Sequence, residues 1–328
     1  MDSQAFSSML RSFAQLDPIQ LERAQEQLRH HLQRDQLHQA LANQSEAVAA
    51  CPCCNSSHVI HWGRARGQQR FRCKACGKTF NQLDGSALAG LHHKHKWAAY
   101  ADCLSRGLSL RAAARECAIN LKTAFRWRHR FLRYALTTRA KQLAGIVEAD
   151  EVFVAESFKG RRHLDRPARR RGAKGKKRGH IPLVPLLIAL DRYGRESDAV
   201  LLDKSLSQIE PSLKPLLTAG TILCTDGNLS YSTIAQNAPG VIHKRLIASA
   251  HHRVEDDVFH IQTLNNYVSR WREWMAKFHG VGTGYLENYL AWFRVVNQEP
   301  NTSCSWLLGG VTRLTYTYRG QSPTFECP

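Results

Sequence analysis

No stretch of the 328-residue chain approaches the roughly 18 consecutive apolar residues that a membrane-spanning helix requires. The segment from Met1 to Leu16 is polar and lacks the apolar centre of a secretory signal, so the cytoplasm is the expected compartment. Acid is scarce. There are 27 Asp and Glu against 46 Lys and Arg, which leaves a net charge of +19 and a pI near 9.8. That imbalance points to a polyanionic partner, with nucleic acid first and an anionic membrane surface second. Hydrophobic content of 43% and charged content of 22% are ordinary for a globular protein, and the length suits two or three domains. Cysteine is not scarce. In a reducing compartment, ten cysteines read as metal ligands or core residues rather than disulfides.

Four of those cysteines fall into two C-x2-C pairs, Cys51/Cys54 and Cys73/Cys76, with 18 residues between the pairs. Each such turn presents two thiolates to one ion, and a tetrahedral Zn²⁺ takes four, so a structural zinc ribbon is expected over residues 49–85. Gly77 suits the tight turn after the second pair. Cys53 is an ambiguous neighbour, and His58 or His61 is an alternative to one thiolate.

Before the cysteines, residues 1–48 read as helical, with Leu21, Ala24, Leu28, Leu32 and Leu37 at roughly helical spacing; a bundle, coiled coil or dimerisation segment is the natural expectation. After them, residues 92–138 resemble a helix-turn-helix. Ser109 to Cys117 forms a short helix with a small alanine face, Ala118-Ile119-Asn120 the turn, and Leu121 to Phe131 a second, basic helix. Lys122, Thr123, Arg126, Arg128 and Arg130 are its candidate DNA contacts, while Trp127 and Phe125 read as core.

The remaining pattern is built on two acids. Ile146 to Val154 is an apolar strand with Glu148, Asp150 and Glu151 at its centre, and Thr221 to Thr225 is a second strand closed by Asp226-Gly227. An edge strand with its charges in water explains the first alone; a shared divalent-metal site explains both. Alternation sets Asp150 and Glu148 on one face and Glu151 on the other, facing away. Between Lys159 and Arg178 run eleven Lys or Arg against the single acid Asp165. This run is read as a phosphate-gripping flap, with Arg169, Arg170, Arg171, Lys174, Lys176 and Lys177 as candidate contacts. Strands are expected over His180–Leu190 and Ala199–Leu202, with a helix over Ser205–Leu217 that Pro211 and Pro215 kink or split. Three strands in meander, a helix and a fourth strand ending in an acid is the order of an RNase H-like fold. A last amphipathic helix runs from His260 to Phe278, another from about Tyr285 to Arg294, and a tail follows from Asn297.

Val147-Glu148-Ala149-Asp150-Glu151, Thr225-Asp226-Gly227 and His260 to Asn266, followed by Trp271 to Phe278 and Gly280-Val281, resemble the three ordered motifs of bacterial insertion-sequence transposases. The similarity is to the insertion-sequence family numbered 1595 and covers roughly residues 50–295. It implies a mixed α/β architecture: an RNase H-like catalytic domain (145–296) with the basic flap 159–178, preceded by the zinc ribbon and helix-turn-helix. It also implies Asp150, Asp226 and Asn265 as catalytic residues holding Mg²⁺ or Mn²⁺, with Zn²⁺ structural in the ribbon. Asn265 stands where many relatives have glutamate; an amide oxygen ligates but brings no charge. Glu273 and Glu151 are the alternative third carboxylates, and His260 is a further candidate for a phosphate or a metal-bound water. The implied reaction is in-line phosphodiester cleavage and strand transfer on double-stranded DNA carrying terminal inverted repeats, by a dimer or larger assembly at the bacterial nucleoid. A non-catalytic DNA-binding remnant is the rival reading, and a structure-directed repair nuclease a third.

Overall fold

The computed structural model describes residues 2–45, 50–65, 68–84, 86–161, 163–164, 182–247 and 253–298. The flap contacts Arg169, Arg170, Arg171, Lys174, Lys176 and Lys177, and the tail beyond Gln298, lie outside them. Among the described residues the chain forms two compact units that meet in sequence at Tyr134 and Ala135. No helix of the described residues is long and apolar enough to cross a membrane.

The first unit begins with helices α1 (Ser3–Ser12) and α2 (Pro18–Ser45), the former capped by the Asp2 side chain on the backbone N–H of Ala5. A three-stranded antiparallel sheet follows, β1 (Val59–Ala65), β2 (Gln68–Cys73) and β3 (Thr79–Asn81), in the order β1-β2-β3. Phe71 and Phe80 oppose each other across β2 and β3 and stack at 5.7 Å, which gives this small sheet its apolar floor. Then come α3 (Trp97–Ser105), α4 (Leu110–Glu116) and α5 (Leu121–Leu136). Ser109 caps α4 by accepting the Ala112 N–H, and Ala118 turns the chain between α4 and α5 at φ +48°. Trp97, Tyr100, Leu104, Ala113, Ala124, Trp127 and Phe131 form the buried centre of the three helices. Ile119, in the turn between α4 and α5, is half-buried.

The second unit is a five-stranded mixed sheet covered on both faces. Its strands are β4 (Ile146–Ala155), β5 (Leu183–Asp191), β6 (Glu196–Val200), β7 (Ile222–Thr225) and β8 (Ile242–Arg245), in the order β6-β5-β4-β7-β8. The pairs β4–β5 and β5–β6 are antiparallel, while β4–β7 and β7–β8 are parallel. Helices α6 (Leu206–Leu213) and α7 (Leu229–Gln236) cover the face formed by Val147, Ala149, Leu187, Ala189 and Leu223. Helices α8 (Gln262–Ala276) and α9 (Leu286–Gln298) cover the other. Trp274 of α8 meets Phe278, Tyr289 and Trp292 in an aromatic cluster that locks these two helices together. The expected split near the prolines occurs: α6 ends at Leu213 and a 3₁₀ turn, Lys214–Leu216, follows with Pro215 inside it.

The third strand differs from expectation. The apolar run Ala199–Leu202 suggested it, yet β6 is Glu196–Val200 and Leu202 is 85% exposed. Glu196 and Asp198 are buried because α9 and the chain after α5 bring partners to them. Asn297 Nδ2 donates to Glu196 Oε1 at 3.1 Å, and Asp198 pairs with Arg139 at 3.1 Å and with the fully buried Arg294.

Candidate active site and zinc cluster

The register of β4 and β7 sets the acids side by side. Glu148 lies opposite Cys224, so Asp150 and Asp226 are each two residues further along parallel neighbouring strands. Both open into a cleft of about 540 Å³ lined by Asp150, Glu151, Phe153, Lys204, Asp226, Gly227 and Asn228. Asp150 accepts the backbone N–H of Glu151 at 2.7 Å, and Asp226 that of Asn228 at 2.9 Å. Burial, reinforced by the Asp226 charge, raises Asp150 to about 6 against the opposing Glu151 N–H and the Arg272 charge. Carboxylates crowded in this way match the chemistry of a hard divalent cation, which takes oxygen ligands and relieves their repulsion.

Glu151 departs from the alternation argument. It was expected to face away, and it lines the cleft, where Asn228 Nδ2 donates to its Oε1 at 3.3 Å. Burial and the Asp150 charge raise it to about 7. The reason is strand length: β7 stops at Thr225, whereas β4 continues to Ala155, so both faces of β4 are reached from beyond the end of β7.

In the first unit the Sγ atoms of Cys51, Cys54, Cys73 and Cys76 lie within 4.8 Å of one another. The pairs Cys51–Cys76 and Cys54–Cys73 are both 3.6 Å apart. Zn–S bonds of about 2.3 Å in a tetrahedron require S–S separations of roughly 3.8 Å, so the four thiols fit zinc. The second pair is held by a tight turn in which the Gly77 N–H reaches the Cys73 carbonyl at 3.0 Å with Gly77 at φ +72°. Cys53 takes no part in the cluster and receives Lys78 Nζ at 2.9 Å. His61 rests on Phe71 and His58 is exposed, so neither replaces a thiolate.

Residues 142–294 match the family described as the ISXO2-like transposase domain. A curated relative, an uncharacterized protein in transposable element ISH50 of Halobacterium salinarum, is 29% identical over 253 residues, 75% of this chain and 84% of its own length. Over these residues the chain is similar to a transposase domain.

Within the matched residues the third motif sits apart from the cleft lining. Asn265 is exposed on α8, as is Glu273, and neither side chain is among the residues that line the cleft. Asn265 and Arg272 are seven residues apart, two helical turns on one face, and the Arg272 charge acts on Asp150. That face of α8 therefore looks toward the acids. His260 serves the start of α8: its Nδ1 accepts the Gln262 N–H at 3.3 Å and lies 3.5 Å from Glu148 Oε1. Glu148 is fully buried between Arg192, at 2.8 Å, and the Leu264 N–H, at 2.8 Å. The far end of α8 is held by Lys159, whose Nζ donates to the carbonyls of Phe278, His279 and Gly280 at 2.9, 3.1 and 2.8 Å. Gly282 packs closely beside it, since a Cβ there would stand 3.1 Å from the Lys159 carbonyl. Sequence reasoning did not assign the contacts of Glu148 with Leu264 and of Lys159 with Phe278 to Gly280, which join residues more than a hundred positions apart.

The candidate DNA contacts on α5 divide. Lys122 and Arg126 are exposed and Thr123 half-exposed. Arg128 is 1% exposed and donates to the Leu108 carbonyl at 2.8 Å, so in this packing it braces the helices and reaches no phosphate. Arg130 is half-buried and donates to the carbonyls of Ala87 and Ala89 at 2.6 and 2.7 Å. A basic residue on a helix is not thereby on its outer face.

Proposed function

We propose that this protein is a DNA transposase that binds the terminal inverted repeats of its own insertion sequence and performs metal-dependent cleavage and strand transfer. The observation that carries the reading is the juxtaposition of Asp150, midway along β4, and Asp226, just past the end of the parallel neighbour β7, inside the matched residues. The sheet order, three antiparallel strands followed by two parallel ones, supports an RNase H-like core over 145–296. The Cys₄ cluster supports a zinc ribbon over 49–85, and α3 to α5 support a helix-turn-helix over 92–138. Lys122, Thr123 and Arg126 head the surface offered to the element end, and the flap over 159–178 adds sequence-blind affinity for phosphate.

Asp150 and Asp226 would hold the divalent ions, with Asn265 as an uncharged third ligand from α8. When bound, such ions activate the attacking oxygen and stabilise the leaving one. The chain itself orients the two aspartates through the Glu151 and Asn228 N–H groups and fixes α8 against β4 through Glu148. Arg272 brings positive charge to the side of Asp150 where a phosphate would enter. Two element ends must be joined, so a dimer or larger assembly is the working unit.

The test is incubation of the full-length protein with DNA carrying its element ends, in Mg²⁺ or Mn²⁺. Site-specific nicking and joining are expected, abolished by Asp150→Asn and Asp226→Asn with DNA binding retained. If the protein binds the ends but neither nicks nor joins them, the chain is a DNA-binding regulator rather than an enzyme.

A further inference from the structure

The proposed reaction leaves two residues of the cleft without a role. Phe153 is 43% exposed, three residues beyond Asp150 on β4 and on the face it shares with Glu151. Lys204, in the turn before α6, is exposed on the cleft and has no ion-pair partner among the described residues. A partly exposed apolar ring beside three carboxylates forgoes part of the few kcal/mol that its full burial would be worth. The strand rise places Phe153 about 10 Å from Asp150, within the span of a nucleotide bordering the phosphate held at the acids.

The geometry points to a nucleotide-holding subsite: Phe153 stacks on the base of an unpaired nucleotide next to the cut, and Lys204 pairs with that nucleotide's phosphate. This inference rests on the reading of the cleft as a nuclease site. A base inside a duplex has both faces covered by its neighbours, so an exposed ring recruits one only after it has left the stack. Every base has such a face, so the contact is indifferent to sequence and suits a position that varies between insertion sites. Charge supports the same occupant. A backbone entering a cleft lined by Asp150, Glu151 and Asp226 meets repulsion that the metal ions relieve at the cut but not one nucleotide away, where Lys204 supplies the cation.

The test compares full-length wild type, Phe153→Ala, Phe153→Trp, Lys204→Gln and Asp150→Asn on two end-bearing duplexes in Mg²⁺. One is fully paired, and the other carries a mismatch at the nucleotide bordering the cut. Phe153→Ala is expected to slow cleavage of the paired duplex by about tenfold or more. The mismatch returns it to within a few-fold of wild type, because the unstacking cost has been removed. Phe153→Trp recovers part of the loss on paired DNA, and Lys204→Gln weakens both substrates with a shallower salt dependence. Phe153→Ala cutting paired DNA at the wild-type rate overturns the subsite. So does an equal loss on both duplexes with an unchanged melting temperature, which makes Phe153 a support for the acids or a seat for a protein partner. If wild type cuts neither duplex, the nuclease reading fails on its own. The subsite is then decided by binding in Ca²⁺, where Phe153→Ala must weaken affinity for the mismatched duplex.

Discussion

Glu148 on β4 accepts the backbone N–H of Leu264, in the first turn of α8, at 2.8 Å. A carboxylate at a helix N-terminus answers both the unpaired N–H groups and the positive end of the helix dipole. Here it comes from the strand that also carries Asp150, so a single contact ties the third motif to the first. Glu148→Ala should therefore destabilise the second unit by about 2 kcal/mol, since it strands a buried N–H and unpairs Arg192. Arg192 is 31% exposed and regains water, which keeps the loss below that of a fully buried pair. Glu148→Gln should lose less, because the amide oxygen still accepts. Urea denaturation measures both, and faster amide exchange at Leu264 should accompany the alanine variant alone.

Four of the five cysteines near the N-terminal sheet cluster in a way that fits zinc. One Zn²⁺ per chain is expected by metal analysis, unchanged in Cys53→Ser and lost in Cys73→Ser. Chelation should unfold β1 to β3, read from the fluorescence of Trp62 on β1, while the cooperative melting of residues 135–298 persists.

The α5 arginines separate contact from scaffold. Lys122→Ala and Arg126→Ala should each weaken DNA binding and reduce the slope of log K against log salt by about one, with melting temperature unchanged. Arg128→Ala should instead lower the melting temperature of the first unit, because it unpairs the Leu108 carbonyl and leaves a cavity where a buried side chain was. A salt slope altered by Arg128→Ala in a protein of normal stability would contradict this assignment.

Glu196 makes stability depend on pH. Burial, which outweighs the favourable contributions of Tyr267, Arg294 and Asn297, raises it from 4.5 to about 7. The folded state thus holds a proton that the unfolded state has released, so stability falls as pH rises from about 4.5 to about 7. Glu196→Gln removes that dependence. The variant should match wild type near pH 4 and be the more stable at pH 8 by at most about 3 kcal/mol, from denaturation at the two pH values.

Much of the fold is legible in local pattern. The β4 and β7 strands, the split near Pro215, the α8 stripe and the two cysteine pairs follow from alternation, helical spacing and turn chemistry. These depend on residues close in sequence. β6 was misplaced because its buried residues, Glu196, Ser197 and Asp198, are polar, and Arg139, Tyr267, Arg294 and Asn297 make the burial of the two acids tolerable. Arg128 and Arg130 were read as DNA contacts for a similar reason, since a one-dimensional charge pattern does not show which side of a helix is covered.

By itself the sequence singled out the residues proposed to carry the chemistry: Asp150 within β4, Asp226 just past β7, and four thiols at zinc spacing. Those assignments rest on residue type and short spacing, which survive any rearrangement of the rest. Only the tertiary structure decided that Glu151 reaches the cleft, that Glu148 serves α8 and that Phe153 stands uncovered beside the acids. Each depends on where a neighbouring element begins or ends: β7 stops at Thr225 and α8 starts at Gln262, positions fixed by packing across the sheet rather than by β4's own residues.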